Sequence, residues 1–367
     1  MKKSLLALAV AALFAVPAFA VSPEDSEQTS SDAGKAPVLT TKLSGFVMGE
    51  YNYNGQKNAS PTNTFSLRMA RMQVAGKILG DFDYRLQVQV SGTTTGIGGP
   101  HIVDAYVEWV KYKEFCVRVG EFKRAFTFEN PMNPIDQGFY GYSTAVSKLA
   151  GMNDRVGEHP SNGRDLGIQF QGDLFPDAGG RPWVHYQIGL YNGQGINIKD
   201  VNSQKDLIGG LWVMPVKGMR IGFFGWDGRY QRGDVRVPRK RYAISGEYKT
   251  ASDWQFRSEY VHSYGPAFNG AYGSGVTTFN EVLGDKADAW YAQVIAPVIK
   301  NVFHVKARYD VYRDNAAWDR CYTAYDFGCD YQFTKNLVIS AIGSLVNDRR
   351  LEEHDYFMAD LQISFRF

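Results

Sequence analysis

The sequence predicts an all-β protein: a 16-stranded antiparallel transmembrane β-barrel with a long, inward-folded third extracellular loop. Three observations predict it. Apolar and polar residues alternate through segments of about ten residues. The connections between segments are short at one end and longer and polar at the other. An export signal opens the chain, and after it no apolar run approaches the ~18–20 residues of a spanning helix.

The export signal comes first. Lys2 and Lys3 precede an apolar stretch from Leu5 to Val16, then Ala18-Phe19-Ala20, an A-x-A cleavage site. Residues 1–20 are expected to be removed. Residues 21–38, VSPEDSEQTSSDAGKAPV, are polar and poor in aromatics, the composition of a flexible lead-in. The barrel is expected over 39–367.

The strands follow in order. The first two are expected at 41–54 and 64–78, separated by the polar GQKNASPTN. The third, 83–91, puts Tyr84, Leu86, Val88 and Val90 on one face and Arg85, Gln87, Gln89 and Ser91 on the other. The fourth and fifth, 101–112 and 116–123, are joined by the short KEF, and the long segment Arg124–Gly163 then leads to the sixth at 164–174. The seventh is expected at 183–191. The eighth, 205–214, is apolar on both faces, as is the twelfth, 288–298, which follows another long stretch, Ser263–Ala287. Between them lie 219–227, 237–249 and 253–262. In the tenth, Tyr242, Ile244, Gly246 and Tyr248 oppose Arg239, Arg241, Ala243, Ser245 and Glu247. The thirteenth, 302–312, sets Phe303, Val305, Ala307, Tyr309 and Val311 against His304, Lys306, Arg308 and Asp310. The fourteenth and fifteenth, 322–333 and 337–346, flank TKN. The last, 355–367, alternates Phe357, Ala359, Leu361, Ile363, Phe365 and Phe367 with Met358, Asp360, Gln362, Ser364 and Arg366.

A soluble sandwich would also alternate, with its polar faces toward water. Sixteen strands would make it unusually large, and its long and short loops need not segregate to opposite ends. In a bilayer an open sheet edge leaves backbone groups unpaired, so the last strand must close on the first. Phe367, the terminal residue, then lies at the barrel rim.

With the apolar faces toward lipid, the other faces line a lumen. That lining carries Glu50, Arg71, Arg85, Asp104, Glu108, Arg118, Asp165, Arg220, Arg239, Arg241, Glu247, Arg257, Glu259, Lys306, Arg308, Asp310, Asp326, Asp330, Asp360 and Arg366. Burying so many charges dry costs more than pairing returns, which points to a water-filled channel. Segment Arg124–Gly163, with Phe126, Phe128, Phe139, Tyr140, Tyr142, Pro131 and Pro134, is expected to fold into the lumen and narrow it, a surface loop lying over the mouth being the alternative.

Other chemistry finds little footing. The formal net charge of +2 and the absence of a Lys/Arg run argue against nucleic acid. Cys116, Cys321 and Cys329 are too scattered for a disulfide framework. His101, His159, His185, His262, His304 and His354 show no metal spacing. GIGGP at Gly96–Pro100 and GQG at Gly193–Gly195 lack the strand-glycine-helix context of nucleotide binding. No cofactor or metal is expected. An outer-membrane hydrolase would need a nucleophile motif beside His185 or His304, and none accompanies them.

Four stretches resemble the phosphate-selective porins of the porin O/P type: LSGFVMGEYNY after the lead-in, VGEFKRAFTFEN (Val119–Asn130), NGRDLGIQFQG (Asn162–Gly172) and LYNGQGIN (Leu190–Asn197). The resemblance implies a trimeric channel in the bacterial outer membrane whose lumen conducts small anionic solutes such as phosphate. It implies Lys123, Arg124 and Arg164 beside the inward loop, and Arg85, Arg118, Arg239, Arg241, Arg257, Lys306 and Arg308 as the basic, anion-binding lining. One departure is that acidic lumen residues nearly match the basic ones and no single strand carries a dense arginine ladder. Passive diffusion with anion preference is therefore the expected function. A general or structural barrel without anion selectivity is the alternative, and a hydrolase a lesser one.

Overall fold

The computed structural model describes residues 39–91, 99–152, 154–157 and 162–367. The expected signal peptide and lead-in lie outside the described residues, as do most of GIGGP and His159. Sixteen strands run in order: β1 (Leu39–Asn54), β2 (Asn63–Ile78), β3 (Phe82–Ser91), β4 (His101–Tyr112), β5 (Phe115–Lys123), β6 (Arg164–Pro176), β7 (Pro182–Tyr191), β8 (Asp206–Val213), β9 (Met219–Arg232), β10 (Val235–Lys249), β11 (Gln255–Tyr264), β12 (Lys286–Ile299), β13 (Phe303–Arg313), β14 (Cys321–Thr334), β15 (Leu337–Asp348) and β16 (Asp355–Arg366). Each pairs antiparallel with its sequence neighbours, and β1 pairs with β16, so the sheet is a closed barrel.

Closure gives every edge a partner. At the seam Phe46 faces Arg366, and beyond it Gly45 and Phe367 exchange both backbone hydrogen bonds, at 3.0 and 3.1 Å. The terminal residue completes the ladder, as an edge-free membrane sheet requires.

The alternation holds in three dimensions. Along β16, Leu361, Ile363 and Phe365 are exposed on the outside, while Asp360, Gln362 and Ser364 are buried on the inside. β10 divides the same way, with Tyr242 and Ile244 outward and Arg239, Arg241 and Ser245 inward. The two strands expected to be apolar on both faces find partners on both. On β8, Leu207 and Leu211 face out and Ile208 faces in; on β12, Trp290 faces out and Tyr291 faces in.

Two departures from strict alternation matter for the interior. Between Met48 and Gly49 of β1 the register to β2 shifts, passing from Met69 to Leu67 and leaving Arg68 as the extra residue of a bulge. Arg68 and Met69 are consequently both buried. A similar shift between β3 and β4 buries both Val103 and Asp104. The connection after β9 is shorter than expected. β9 and β10 stay paired as far as Arg232 and Val235, and Gly233, at φ 56°, helps turn the chain. Their distal residues hold together because Tyr230 and Val237 pack with Val156 and Phe268.

Candidate channel constriction

Segment 124–163 begins and ends at one neck, where the Arg124 N–H donates to the Gly163 carbonyl at 2.9 Å and the Asn130 amide donates to the Arg124 carbonyl at 3.1 Å. Among its described residues the α-helix α1 (Thr144–Leu149) starts at Ser143, whose hydroxyl accepts from the Val146 N–H. The Glu129 carboxylate in turn accepts from the Ser143 N–H and O–H at 3.1 and 2.6 Å.

The segment departs from β5 and returns at β6, yet its partners are inward-facing residues of distant strands. Glu259 on β11 accepts from the N–H groups of Phe128 and Glu129, at 3.3 and 2.7 Å. Asp310 on β13 accepts from the Thr144 N–H at 2.9 Å. Lys306 donates to the Gly138 carbonyl at 2.6 Å, Arg308 to that of Gly141 at 3.3 Å, and Arg366 on β16 pairs with Asp136. Arg68 on β2 stacks over Tyr140, 4.9 Å from the ring centre. A loop has few neighbours for its own backbone groups, and here the strand side chains supply them. Apolar packing completes the docking: Phe126, Phe128, Val146 and Leu149 join Ile208, Phe224, Trp226, Val261 and Tyr291 in one buried cluster.

Beneath this cluster the charges are paired and dry. Arg124–Asp165, Arg239–Asp206 and Arg241–Asp154 meet at 2.8, 2.6 and 2.5 Å with side chains almost fully buried. Three of these cations, Arg124, Arg239 and Arg241, lie 4.9, 4.6 and 4.5 Å from the Trp226 ring centre, and the indole N–H donates to Asp206 at 2.8 Å. Each guanidinium thus has both a carboxylate and an aromatic face to offset its desolvation. Arg164 belongs to the same kind of pair, with Asp104 at 2.6 Å.

The remaining residues expected to line the pore separate into two groups. Arg118 pairs with Glu108 at 2.7 Å, Arg257 with Glu247 at 3.1 Å, Lys306 with Asp330 at 2.5 Å and Arg308 with Asp326 at 2.8 Å. Arg85 and Lys123 have no carboxylate partner among the described residues. Arg71 joins them. The Arg71 guanidinium donates twice to the neutral Gln89 amide oxygen, at 3.1 and 3.0 Å, and its Nη1 has no partner among the described residues. Arg85 stacks over Tyr106 at 5.7 Å, with Nε unpartnered among the described residues. The Lys123 ammonium donates to the Tyr142 hydroxyl at 3.0 Å, and that hydroxyl donates to the Met132 carbonyl at 2.9 Å. Burial pushes the Tyr142 phenol up to about 12, against the pull of Arg71 and Arg164. The phenol therefore stays neutral and cannot serve Lys123 as a counter-ion.

Sequence reasoning missed Arg68, because a period of two places it outside and only the bulge turns it in. It placed Arg71 inside without including it among the anion-binding candidates. The carboxylates that neutralise Arg239 and Arg241 were also missed. Asp206 and Asp154 lie far from them in the chain, and no local pattern marks the pairing.

A closed sixteen-stranded barrel with an apolar exterior, a charged interior and a long third loop packed on inward-facing side chains has the architecture of a bacterial outer-membrane porin. The likeness read from the sequence holds more particularly over residues 42–175, which match the family of phosphate-selective porins O and P. Among solved structures, the chain is similar to the anion-selective porin from Comamonas acidovorans, at 14% identity and a TM-score of 0.64, covering 89% of this chain and 99% of that one. It is similar also to the outer membrane channel DcaP of Acinetobacter baumannii, at 14% identity and a TM-score of 0.64, covering 92% and 99%. OmpT of Vibrio cholerae, described in its trimer form, aligns at 10% identity with a TM-score of 0.58, covering 90% and 100%. At these identities the likeness carries the fold. No curated protein matches the sequence.

Proposed function

We propose that this chain is a passive channel for small hydrophilic solutes that prefers anions, with segment 124–163 as its constriction. The observation that carries the reading is the imbalance on the wall formed by β2, β3 and β5. There Arg71, Arg85 and Lys123 lack carboxylate partners among the described residues, whereas the other expected pore-lining cations are matched by acids. Matched pairs cancel at a distance. Unmatched cations in the wall of an aqueous path favour anions, the more so where protein lowers the effective dielectric.

Arg118, Arg124, Arg164, Arg239, Arg241, Arg257, Lys306 and Arg308 then act mainly by holding the loop and shaping the bore. Phosphate is a fitting solute because guanidinium forks match its oxygens, and the family likeness supports it. The trimer form of the OmpT neighbour supports a homotrimer. The channel needs no catalysis, and none is proposed.

The test is the reversal potential of purified protein in a planar bilayer under a potassium chloride gradient. The wild type should show the sign of anion preference. The double variant Arg71→Gln, Lys123→Gln should move the potential toward zero, while Lys240→Gln, an exposed outward position, should leave it unchanged. A wild-type potential of the cation sign would overturn the proposal.

A further inference from the structure

The outside of the barrel carries a feature that conduction does not use. On the lipid-facing side of β9–β12 lies a groove of about 660 Å³, floored by Gly246, Ser258 and Ala292, which sit opposite one another on three adjacent strands. Its walls include Ile244, Tyr248, Phe256 and Trp290. The one hydroxyl in its floor is already occupied: Ser258 donates to the Tyr291 carbonyl at 2.8 Å and accepts from the Trp290 indole N–H at 3.0 Å. The groove therefore offers a hydrocarbon surface.

Its lower end meets the short-turn rim, which is the periplasmic side of such barrels. There Trp254 and Phe256 stack at 6.0 Å, marking the interface. Two exposed lysines, Lys217 and Lys300, flank this end. Lys217 lies in the turn whose Gly218 carbonyl accepts from the Lys249 N–H at 2.8 Å, and Lys300 reaches across to the Ala251 carbonyl at 3.2 Å. The nearby acid, Asp253, is matched on the lumen side by Lys249 at 3.3 Å and by His304, which line one interior cavity. The rim is thus net positive.

We infer that this groove and its lysine rim hold one glycerophospholipid of the periplasmic leaflet, with an acyl chain along Gly246, Ser258 and Ala292 and the phosphate between Lys217 and Lys300. Lipid tails are as apolar as the groove, so hydrophobicity alone gives no preference for this site. Shape and headgroup charge select it. The inference rests on the barrel standing in a bilayer and is independent of which ion passes through it.

The structure supplies a clean probe of the groove. A Cβ built at Gly246 meets nothing nearer than the Ser258 carbonyl oxygen at 4.0 Å, so Gly246→Leu fills the groove without disturbing the sheet. The experiment reconstitutes the full chain in vesicles of phosphatidylglycerol and phosphatidylethanolamine, extracts it in mild detergent and counts retained lipid by native mass spectrometry. About one phospholipid per chain is expected, reduced by Gly246→Leu. The double variant Lys217→Ala, Lys300→Ala should weaken retention about thirtyfold, the effect of two lysines near an anionic surface. Millimolar inorganic phosphate should not displace the lipid, because it lacks the chain; displacement would overturn the two-part site. Equal retention in wild type and both folded variants would overturn the proposal. Unchanged lipid with a lost oligomer in Gly246→Leu would also overturn it, making the groove a contact between copies. Reversal potentials measured alongside should not change, which keeps this test separate from that of ion preference.

Discussion

Asp154→Asn is the sharpest test of how segment 124–163 is held. It preserves the shape of the side chain and removes its charge. In the wild type the two Asp154 oxygens accept from Arg241 at 2.5 and 2.7 Å, both side chains are fully buried, and the same guanidinium donates to the Leu149 carbonyl at the end of α1. Removing one member of a buried pair strands the other, at a cost of about 3–5 kcal/mol. That corresponds to a rise of roughly two to four orders of magnitude in the undocked population of the loop. The barrel itself should survive, since its ladder does not use this pair. Single-channel recordings should show noisier current and larger open steps, with unchanged heat-modifiable migration on gels. Acidity gives a second readout. Burial alone would raise the Asp154 carboxyl, but Arg241 and Arg239 outweigh it and hold the group below its ordinary value of 3.8. A depressed carboxylate contributes stability that is fully present above the ordinary value and is lost as pH falls through the lowered one. Wild-type traces should therefore stay quiet down to the ordinary carboxylate range and become noisy only below it, whereas the variant should be noisy throughout. Quiet, wild-type-like traces from a folded Asp154→Asn barrel would refute the docking argument.

Two further predictions concern the wall and the seam. Gly120 on β5 has φ +135°, and a Cβ there would lie 2.1 Å from the Ala105 carbonyl oxygen and 2.8 Å from the Tyr106 Cα, both backbone atoms that cannot yield. Gly120→Ala should sharply reduce the folded fraction on refolding gels, while Gly225→Ala, with nothing within 4 Å, should refold normally. Deleting Phe367 removes its two backbone bonds with Gly45 and the ring that covers that glycine. Each unpaired backbone group in the membrane rim costs about 1–3 kcal/mol, so assembled barrel should fall several-fold in a refolding time course, and an undiminished yield would count against the seam's importance.

The barrel was legible because its signal is repeated sixteen times and each repeat has the same cause. A strand between lipid and water must alternate, so Leu361, Ile363 and Phe365 could be assigned outward from spacing alone. The constriction was legible only as a long aromatic segment. Where Phe126 and Phe128 would dock depended on Ile208, Phe224 and Trp226, inward apolar residues on strands whose inner faces resembled their outer ones. Arg68 was hidden by a bulge that no residue type announces. The expectation of a uniformly wet interior also needs refinement: Arg124, Arg239 and Arg241 are dry, because the loop brings or covers the acids that match them.

That last difference bears directly on selectivity. Counting lumen charges suggested near neutrality and little reason for one ion to be preferred. Pairing changes the arithmetic, because a cation bonded to a carboxylate at 2.6 Å projects a dipole whose field fades faster with distance than that of a single charge. In the proposed channel the field along the bore is then set by the remainder after pairing, and in the wall of β2, β3 and β5 that remainder would be Arg71, Arg85 and Lys123. An inner surface with equal numbers of acids and bases can still select anions, provided the acids are spent on holding a loop. On the proposed reading, the acids that dock segment 124–163, Asp154, Asp165, Glu259 and Asp310, would be part of how selectivity arises, although none of them binds the ion.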